Sequence, residues 1–384
     1  STPDSSGATV LDDLPEWLVV EEILVRLPTK DVLRCRAVQK SWRAATSTDK
    51  FILDHHRRQP LLPIIEQLDE GLYCLASAGD QKIRPVLRYT PDPVSSIAVI
   101  AACDGLLILS GHSSFYICNP ATRKCAPLPH PPLRPGFSGA TVVAFYRHHA
   151  SGEHRVLWSI FSAPVARVAT VERSAYFVLP VGSDQPRCVQ WPTVKRYFPA
   201  TRSRDCPPVD HRGGLHWALG LGITVFDTVT ETFRQMSRPA QLPPGGWVSL
   251  CDMGGAADRV TLDVWMLQDY DAETWAFRYR IDLRAMEASP PLNLMVTYLV
   301  PDMAVINEAE LLIQHCPDRL LHCDIDGVFL GDVEIGEHGS VSSPFASSLT
   351  LTRHHLQESM ISLSLFEMQQ EDAVDKEPPF DIVL

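Results

Sequence analysis

The sequence has no apolar run approaching the roughly 18 residues that a membrane-spanning helix needs. A helical span is therefore not expected. Cysteine pairs at metal-binding spacing are also missing. The ten cysteines stand alone at 35, 74, 103, 118, 125, 188, 206, 251, 316 and 323, with no Cys-x-x-Cys among them. Zinc modules bring their ligands in close pairs, so no metal site is expected. Buried reduced thiols in a cytoplasmic or nuclear protein are the plain reading of the cysteines. Basic charge is short as well: 34 Lys and Arg face 46 Asp and Glu, for a net charge of −12. Without a basic stripe, nucleic acid is a poor partner, because its affinity rests on Lys and Arg. The first twenty residues carry four acids and no base, unlike a secretory or organellar leader.

The motifs of common chemistry are missing too. No Gly-x-Ser-x-Gly, His-Glu-x-x-His or phosphate-cradling glycine loop is present. Gly220-Leu221-Gly222 reads as a hairpin turn. Asp324-Ile325-Asp326-Gly327 begins like a calcium loop, but lacks a third Asp or Asn before the glycine and the closing Glu. The pairs His55-His56, His148-His149 and His354-His355 are adjacent residues. In a strand these point to opposite faces, so they read as surface or loop histidines. No cofactor and no catalytic residue are expected.

What is present is a globular composition, 45% hydrophobic and 21% charged, with 31 prolines and 21 glycines. Those breakers argue for many turns and few long helices. The length of 384 residues suits a large domain with a small one. Residues 1–60 hold nine acids and nine bases, so the negative charge belongs to the remainder.

The most structured message lies between Leu14 and Trp42. Leu14, Trp17, Val20, Leu24 and Leu27 recur at spacings of three and four, which places them on one face of a helix. Asp12, Asp13 and Glu16 suit its positive end. Pro28 ends it by disfavouring the α conformation at Leu27. Thr29 is expected to cap a second helix, and a third short helix lies around Trp42. Phe51 to Arg58 continues as a connecting helix until Gln59-Pro60. So many apolar side chains on three short helices exceed what those helices can hide, and the surplus calls for the rest of the chain or a partner.

This stretch resembles an F-box. The residues that carry the resemblance are Leu14-Pro15, Ile23-Leu24, Arg26-Leu27-Pro28, Val32-Leu33-Arg34-Cys35-Arg36, Val38, Lys40 and Ser41-Trp42-Arg43. Two departures stand out. The interval from Leu-Pro to Ile-Leu is one residue longer than the commonest pattern, which bears on the helix register of Val19 to Glu22. Gln39 stands where the family often has Cys. The resemblance implies docking on the small Skp-family adaptor, and through it on a cullin. The expected contact set is Leu14, Pro15, Leu18, Ile23, Leu24, Leu27, Pro28, Val32, Leu33, Val38 and Trp42.

From Leu61 the pattern becomes extended: short Val/Ile/Leu/aromatic segments alternate with turns. Four segments close on an acidic or amide residue before a turn, at Asn119, Asp227, Asp282 and Asp324. Units of about 40–55 residues suit propeller blades of four strands. Cys103-Asp104-Gly105-Leu106-Leu107, Asn119-Pro120-Ala121-Thr122-Arg123, Gly214-Leu215-His216-Trp217, Leu262 to Leu267 and Tyr279 to Leu283 resemble the F-box-associated domain of plant F-box proteins, a degenerate kelch-like propeller. The expected fold is therefore α+β and multidomain. A disordered segment 1–10 and a helical F-box 11–58 precede an all-β domain 61–366, an irregular propeller of about six blades. An acidic tail 367–384 follows. Closure should pair Leu61 to Glu66 with Met360 to Phe366, because closing the ring removes exposed edges.

The resemblance implies a non-catalytic substrate-recognition subunit of a Skp–cullin–F-box ubiquitin ligase, with the β domain holding an unknown target protein. The alternatives are an F-box scaffold or inhibitor that degrades nothing, and a β domain acting as small-molecule receptor or enzyme. Trp217, Trp265 and Trp275 sit in strand patterns and read as core. Trp191 and Trp247 lie in loop-like contexts and are the candidate target-binding anchors.

Overall fold

The computed structural model describes residues 14–67, 70–75, 82–90, 97–111, 114–133, 135–162, 174–190, 207–219, 222–240, 247–249, 254–257, 261–282, 302–307, 310–316, 319–324, 328–333, 349–368 and 378–384. A few short helices come first, and nearly all the rest is antiparallel strand.

The first expected helix is broken into three pieces. Helix α1 (Glu16–Leu18) runs into a π turn at Val19–Ile23 and then a 3₁₀ turn at Leu24–Arg26. A π turn holds one more residue than an α turn. It falls on the stretch where the sequence is one residue longer than the F-box pattern. Leu27 is extended, with ψ 153°, as Pro28 requires. Helix α2 (Thr29–Val38) starts behind Pro28, but Thr29 does not cap it: the Thr29 hydroxyl is buried without a partner among the described residues. Its φ and ψ are already helical there, so the side chain cannot reach forward as a cap does. Helices α3 (Lys40–Thr46) and α4 (Asp49–His56) complete the unit, and the Thr48 hydroxyl caps α4 by accepting from the Phe51 N–H at 3.3 Å.

Six sheets follow. The first holds β1 (Leu61–Gln67), β2 (Gly71–Leu75) and β3 (Ile83–Tyr89). The second holds β4 (Ala98–Cys103), β5 (Leu106–Ser110), β6 (Phe115–Asn119) and β7 (Lys124–Leu128). The third holds β8 (Gly139–Arg147), β9 (His154–Phe161), β10 (Ser174–Pro180) and β11 (Arg187–Val189). The fourth is β12 (Val209–His211), β13 (Gly214–Leu219), β14 (Gly222–Asp227) and β15 (Thr232–Met236). The fifth is β16 (Trp247–Ser249), β17 (Gly254–Ala257), β18 (Thr261–Asp269) and β19 (Thr274–Asp282). The sixth is β20 (Asp302–Asn307), β21 (Glu310–Cys316), β22 (Arg319–Asp324) and β23 (Phe329–Asp332). Two late strands, β24 (Leu349–Gln357) and β25 (Phe380–Ile382), return to the two edges of the first sheet, giving the order β24-β1-β2-β3-β25. Strand β4 lies beside β8 and β24, and β24 beside β20, so the first strands of successive sheets line the inside of a propeller-like ring. The apolar cores lie between neighbouring blades: one joins Leu62, Leu107 and Leu312, another Ile108, Trp158 and Phe177.

Closure uses β1, as expected, but its partner is β24 and not Met360 to Phe366. Those later residues form a strap and a short helix, α5 (Leu365–Met368), whose apolar side chains pack without joining a ladder. Pro63 sits inside the central strand β1. Proline cannot donate to a ladder, and the register slips between Pro63 and Ile65 there, with Arg353 opposite at φ 58°. The expected free tail is likewise corrected at its end: Phe380 is buried and Phe380–Ile382 pair with β3, because Phe380 supplies apolar surface to the first sheet. Residues 369–377 lie outside the described residues.

The repeating acidic residue turns out to be a repeating turn. Asn119, Asp227 and Asp269 each end the third strand of a blade and accept backbone N–H groups two or three residues on. Asp324, which ends the third strand of the sixth sheet, accepts from the Val328 N–H four residues on. Asp282 does not belong to this series, because it ends a fourth strand; Asp269 holds that place. Four residues after Asn119, Asp227 and Asp269 come Arg123, Glu231 and Glu273, all left-handed at φ 57°, 52° and 52°. Each reaches back to the preceding blade. Arg123 donates to the Leu384 and Val383 carbonyls, and Glu273 accepts from Arg234 and from the Ser237 N–H. Glu231 accepts from Tyr146, Arg155 and Arg187.

Three of the histidines expected at the surface are buried: His55, His56 and His354. Burial pushes the His354 imidazole down to about 3 and also lowers His55 and His216. An unfolded histidine takes a proton near pH 6.5, whereas folded His354 refuses it until about 3. The unfolded state therefore binds more protons across that window, and stability falls as pH falls below about 6.5. His354 alone should cost up to roughly 1.4 kcal/mol per pH unit there. The denaturation midpoint followed from pH 7 to 5 checks this: it should drop, and His354→Leu should flatten the slope.

Candidate functional site

The helical unit is held by Val19, Val20, Leu24, Val25, Val32 and Phe51, joined by Met360 from the strap that follows β24. Leu14, Leu27, Leu33 and Trp42 pack half-buried at its margin. The residues of the expected docking set thus divide. Leu24 and Val32 are fully inside and hold the unit together. Leu14, Leu27, Leu33 and Trp42 serve both the core and the surface. Pro15, Leu18, Ile23, Pro28 and Val38 stand outside this core, with Val38 75% exposed. Trp17 joins them at 60% exposed. Helical spacing had put Trp17 on one face with Val20 and Leu24, but across the π turn Val19 and Val20 go inward and Trp17 stays outside. An exposed Trp and Val on a four-helix unit is surface of the kind that marks an interface.

Polar ties keep that surface in one shape. Arg36 donates to the Thr46 hydroxyl at 3.0 Å and to its carbonyl, locking α2 to the end of α3. His55 Nε2 meets the Leu27 carbonyl at 2.8 Å, so α4 is pinned beneath the Leu27-Pro28 corner. The surface pairs Arg26–Glu22, Arg34–Asp31 and Lys50–Glu21 are exposed and add little.

The unit is fixed to the propeller through the residues whose pattern resembled the F-box-associated domain. Asp104 and Gly105 make the β4–β5 turn at φ 50° and 77°. A Cβ on Gly105 would lie 2.5 Å from the Gln357 carbonyl, so only glycine lets the strap pass. Ser359 donates to the Asp104 carbonyl at 2.6 Å, and Asn119 donates to the Ser359 and Ile361 carbonyls. Gln357 donates to the Gln59 carbonyl, and His56 Nδ1 meets the Glu358 carbonyl at 3.0 Å. The Asp104 carboxylate meets His154 Nε2 at 3.0 Å and faces His56 at 3.6 Å, and these two rings hold it well below the usual carboxylate range against the opposing cost of burial. Glu358 also pairs with Arg84.

Of the target-binding candidates, Trp191 lies outside the described residues. Trp247 opens β16 and so lies in a strand rather than a loop. Trp217 and Trp265 are buried, as their strand patterns implied, and Trp275 donates to the Ser237 carbonyl. Among the described residues, no helix is long and apolar enough to cross a membrane.

No protein-family model matches the sequence. Curated relatives do. An F-box protein of Arabidopsis thaliana is 25% identical over 300 residues, covering 71% of this chain and 80% of its own length. An F-box/LRR-repeat/kelch-repeat protein of the same plant is 22% identical over 327 residues, covering 80% of this chain and 86% of its own. Among solved structures, YCF48 from Cyanidioschyzon merolae is similar over 72% of this chain and 87% of its own, at 10% identity and a TM-score of 0.38. The chain is therefore similar to plant F-box proteins over most of its length.

Proposed function

We propose that this chain is the substrate-recognition subunit of a Skp–cullin–F-box ubiquitin ligase. The observation that carries the reading is the apolar surface of Trp17, Leu18, Ile23 and Val38, left outside the core of a helical unit that is rigidly tied to a propeller. The helical F-box, residues 11–58, docks on the Skp-family adaptor and through it on a cullin. The β domain, residues 61–366, holds a target protein. No catalytic residue is required of this chain. Holding a target beside a ubiquitin-charged enzyme raises its effective concentration there, and geometry sets the gain. The direct test is reconstitution. Mixed with a plant Skp-family adaptor and cullin, the chain should co-elute as one complex and support ubiquitin transfer to a captured protein. Co-elution without transfer to any captured protein would favour a scaffold or inhibitor, and failure to co-elute would end the reading.

A further inference from the structure

A separate cluster lies where the helical unit meets the propeller. Strand β4 ends at Cys103, and the left-handed φ of 50° at Asp104 brings the next side chain back toward it instead of to the opposite face. Strand β9 begins at His154. The Cys103 thiol sulfur, an Asp104 carboxylate oxygen and a His154 ring nitrogen all lie within 4.8 Å of one another. Asp104 Oδ2 is 3.0 Å from His154 Nε2, and its Oδ1 is 3.6 Å from His56 Nε2. Both histidines are buried.

His56 supplies the decisive argument. Its Nδ1 lies 3.0 Å from the Glu358 carbonyl. A carbonyl only accepts, so Nδ1 carries the proton. In a neutral ring Nε2 is then a bare lone pair, and it faces a carboxylate oxygen in a site largely closed to water. Two lone pairs face each other stably there only with positive charge between them, either a second ring proton or a metal ion. A ring held by Nδ1–H to a backbone carbonyl, with Nε2 turned inward, is also how metal-binding histidines are oriented.

We propose that Cys103, Asp104, His154 and His56 form a binding site for a zinc-class divalent cation that clasps helix α4 to the second and third blades. One thiolate, two imidazoles and one carboxylate make four ligands of the kind tetrahedral zinc takes. A sulfur ligand argues against magnesium or calcium, which select oxygen. Ligands about 2.0–2.3 Å from a tetrahedral ion lie roughly 3.3–3.8 Å from each other. Cys103, Asp104 and His154 already lie within 4.8 Å of one another and need only small shifts to reach that, whereas His56, 3.6 Å from the other carboxylate oxygen, stands outside this cluster and must move in to complete the four. Binding releases the Cys103 thiol proton to solvent, and the neutral His154 ring carries its proton on Nδ1 instead of Nε2, which frees Nε2 as the ligand atom. The ligands come from three separate stretches, around 56, 103–104 and 154, which is why no motif announced them. The ion would fix the angle between the docking unit and the β domain, a property independent of what either surface binds.

The full chain, purified from zinc-supplemented cells, tests this by elemental analysis and by cobalt(II) replacement after chelation. The expected result is about one zinc per chain, and a cobalt adduct with a near-ultraviolet thiolate-to-metal charge-transfer band. Cys103→Ser should abolish the band, and His154→Gln should weaken retention about tenfold or more. Cys188→Ser, which changes an exposed cysteine, should alter neither. A metal-free wild-type chain that gives no band with cobalt would leave a protonated His56 as the bridge and overturn the proposal. That measurement needs no variant to fold. A band that survives in Cys103→Ser would place the metal elsewhere and overturn it equally.

Discussion

Changing Leu18 and Ile23 together to Asp should abolish adaptor binding while leaving the helical unit folded. Both side chains stand outside the unit's core and are half-buried at its surface. Both are already half-buried, so covering the remainder of each on docking would be worth roughly 1–1.5 kcal/mol. Losing both amounts to a weakening of about one to two orders of magnitude, and burying two carboxylates would add to it. The contrasting pair is Leu24→Ala and Val32→Ala. These residues are inside the core, and each should cost roughly 2–5 kcal/mol of stability. They would lose binding through unfolding. Adaptor affinity measured beside far-ultraviolet circular dichroism separates the two classes. A folded Leu18→Asp, Ile23→Asp chain that binds the adaptor as well as wild type would show that docking uses another surface.

Glu231→Ala should be among the most damaging single changes in the propeller. Glu231 is only 4% exposed, and it accepts from Tyr146 at 2.7 Å, from Arg155 at 2.7 Å and from Arg187. Removing it takes away the buried anion of Arg155, which keeps only the exposed Glu153, and leaves the Tyr146 hydroxyl without its acceptor. Breaking a buried pair from one side costs roughly 3–5 kcal/mol, because the remaining charge stays desolvated. Glu273→Ala removes the equivalent clamp one blade later, but Arg234 there is 41% exposed and water can replace the carboxylate. Its cost should be about 1 kcal/mol or less. Denaturant unfolding of the two variants checks the difference. Equal losses would mean that the clamps do not act through buried charge.

The strands were legible because each buries alternate or continuous apolar runs between turn residues, as in Leu106–Ser110 and Ile223–Asp227. Closure was placed too late because Met360, Leu365 and Phe366 are apolar and buried without being a strand. Their burial comes from a strap wedged between the helical unit and the blades, and local pattern cannot distinguish that from a ladder. The blade repeat was half visible. The acid or amide that opens the turn has a chemical signature, whereas its left-handed partner is set by conformation and appears as Arg123, Glu231 or Glu273. Trp17 was misread because a π turn shifts the helical face, and periodicity assumes none. The junction residues Asp104, Gly105 and Asn119 were recognised only as a resemblance. Their work is to hold the chain between 357 and 361, a contact across some 240–255 positions that no spacing argument reaches.

The central claim is that one surface docks while the other delivers a target. It is tested most directly by comparing protein abundance in plant cells that express the intact chain or the Leu18→Asp, Ile23→Asp form. Proteins captured by both forms are the candidate targets. The account predicts that at least one of them falls in abundance with the intact chain, and is unchanged or raised with the docking-deficient form, which occupies it without delivering it. A captured protein whose abundance falls equally with both forms would contradict the account.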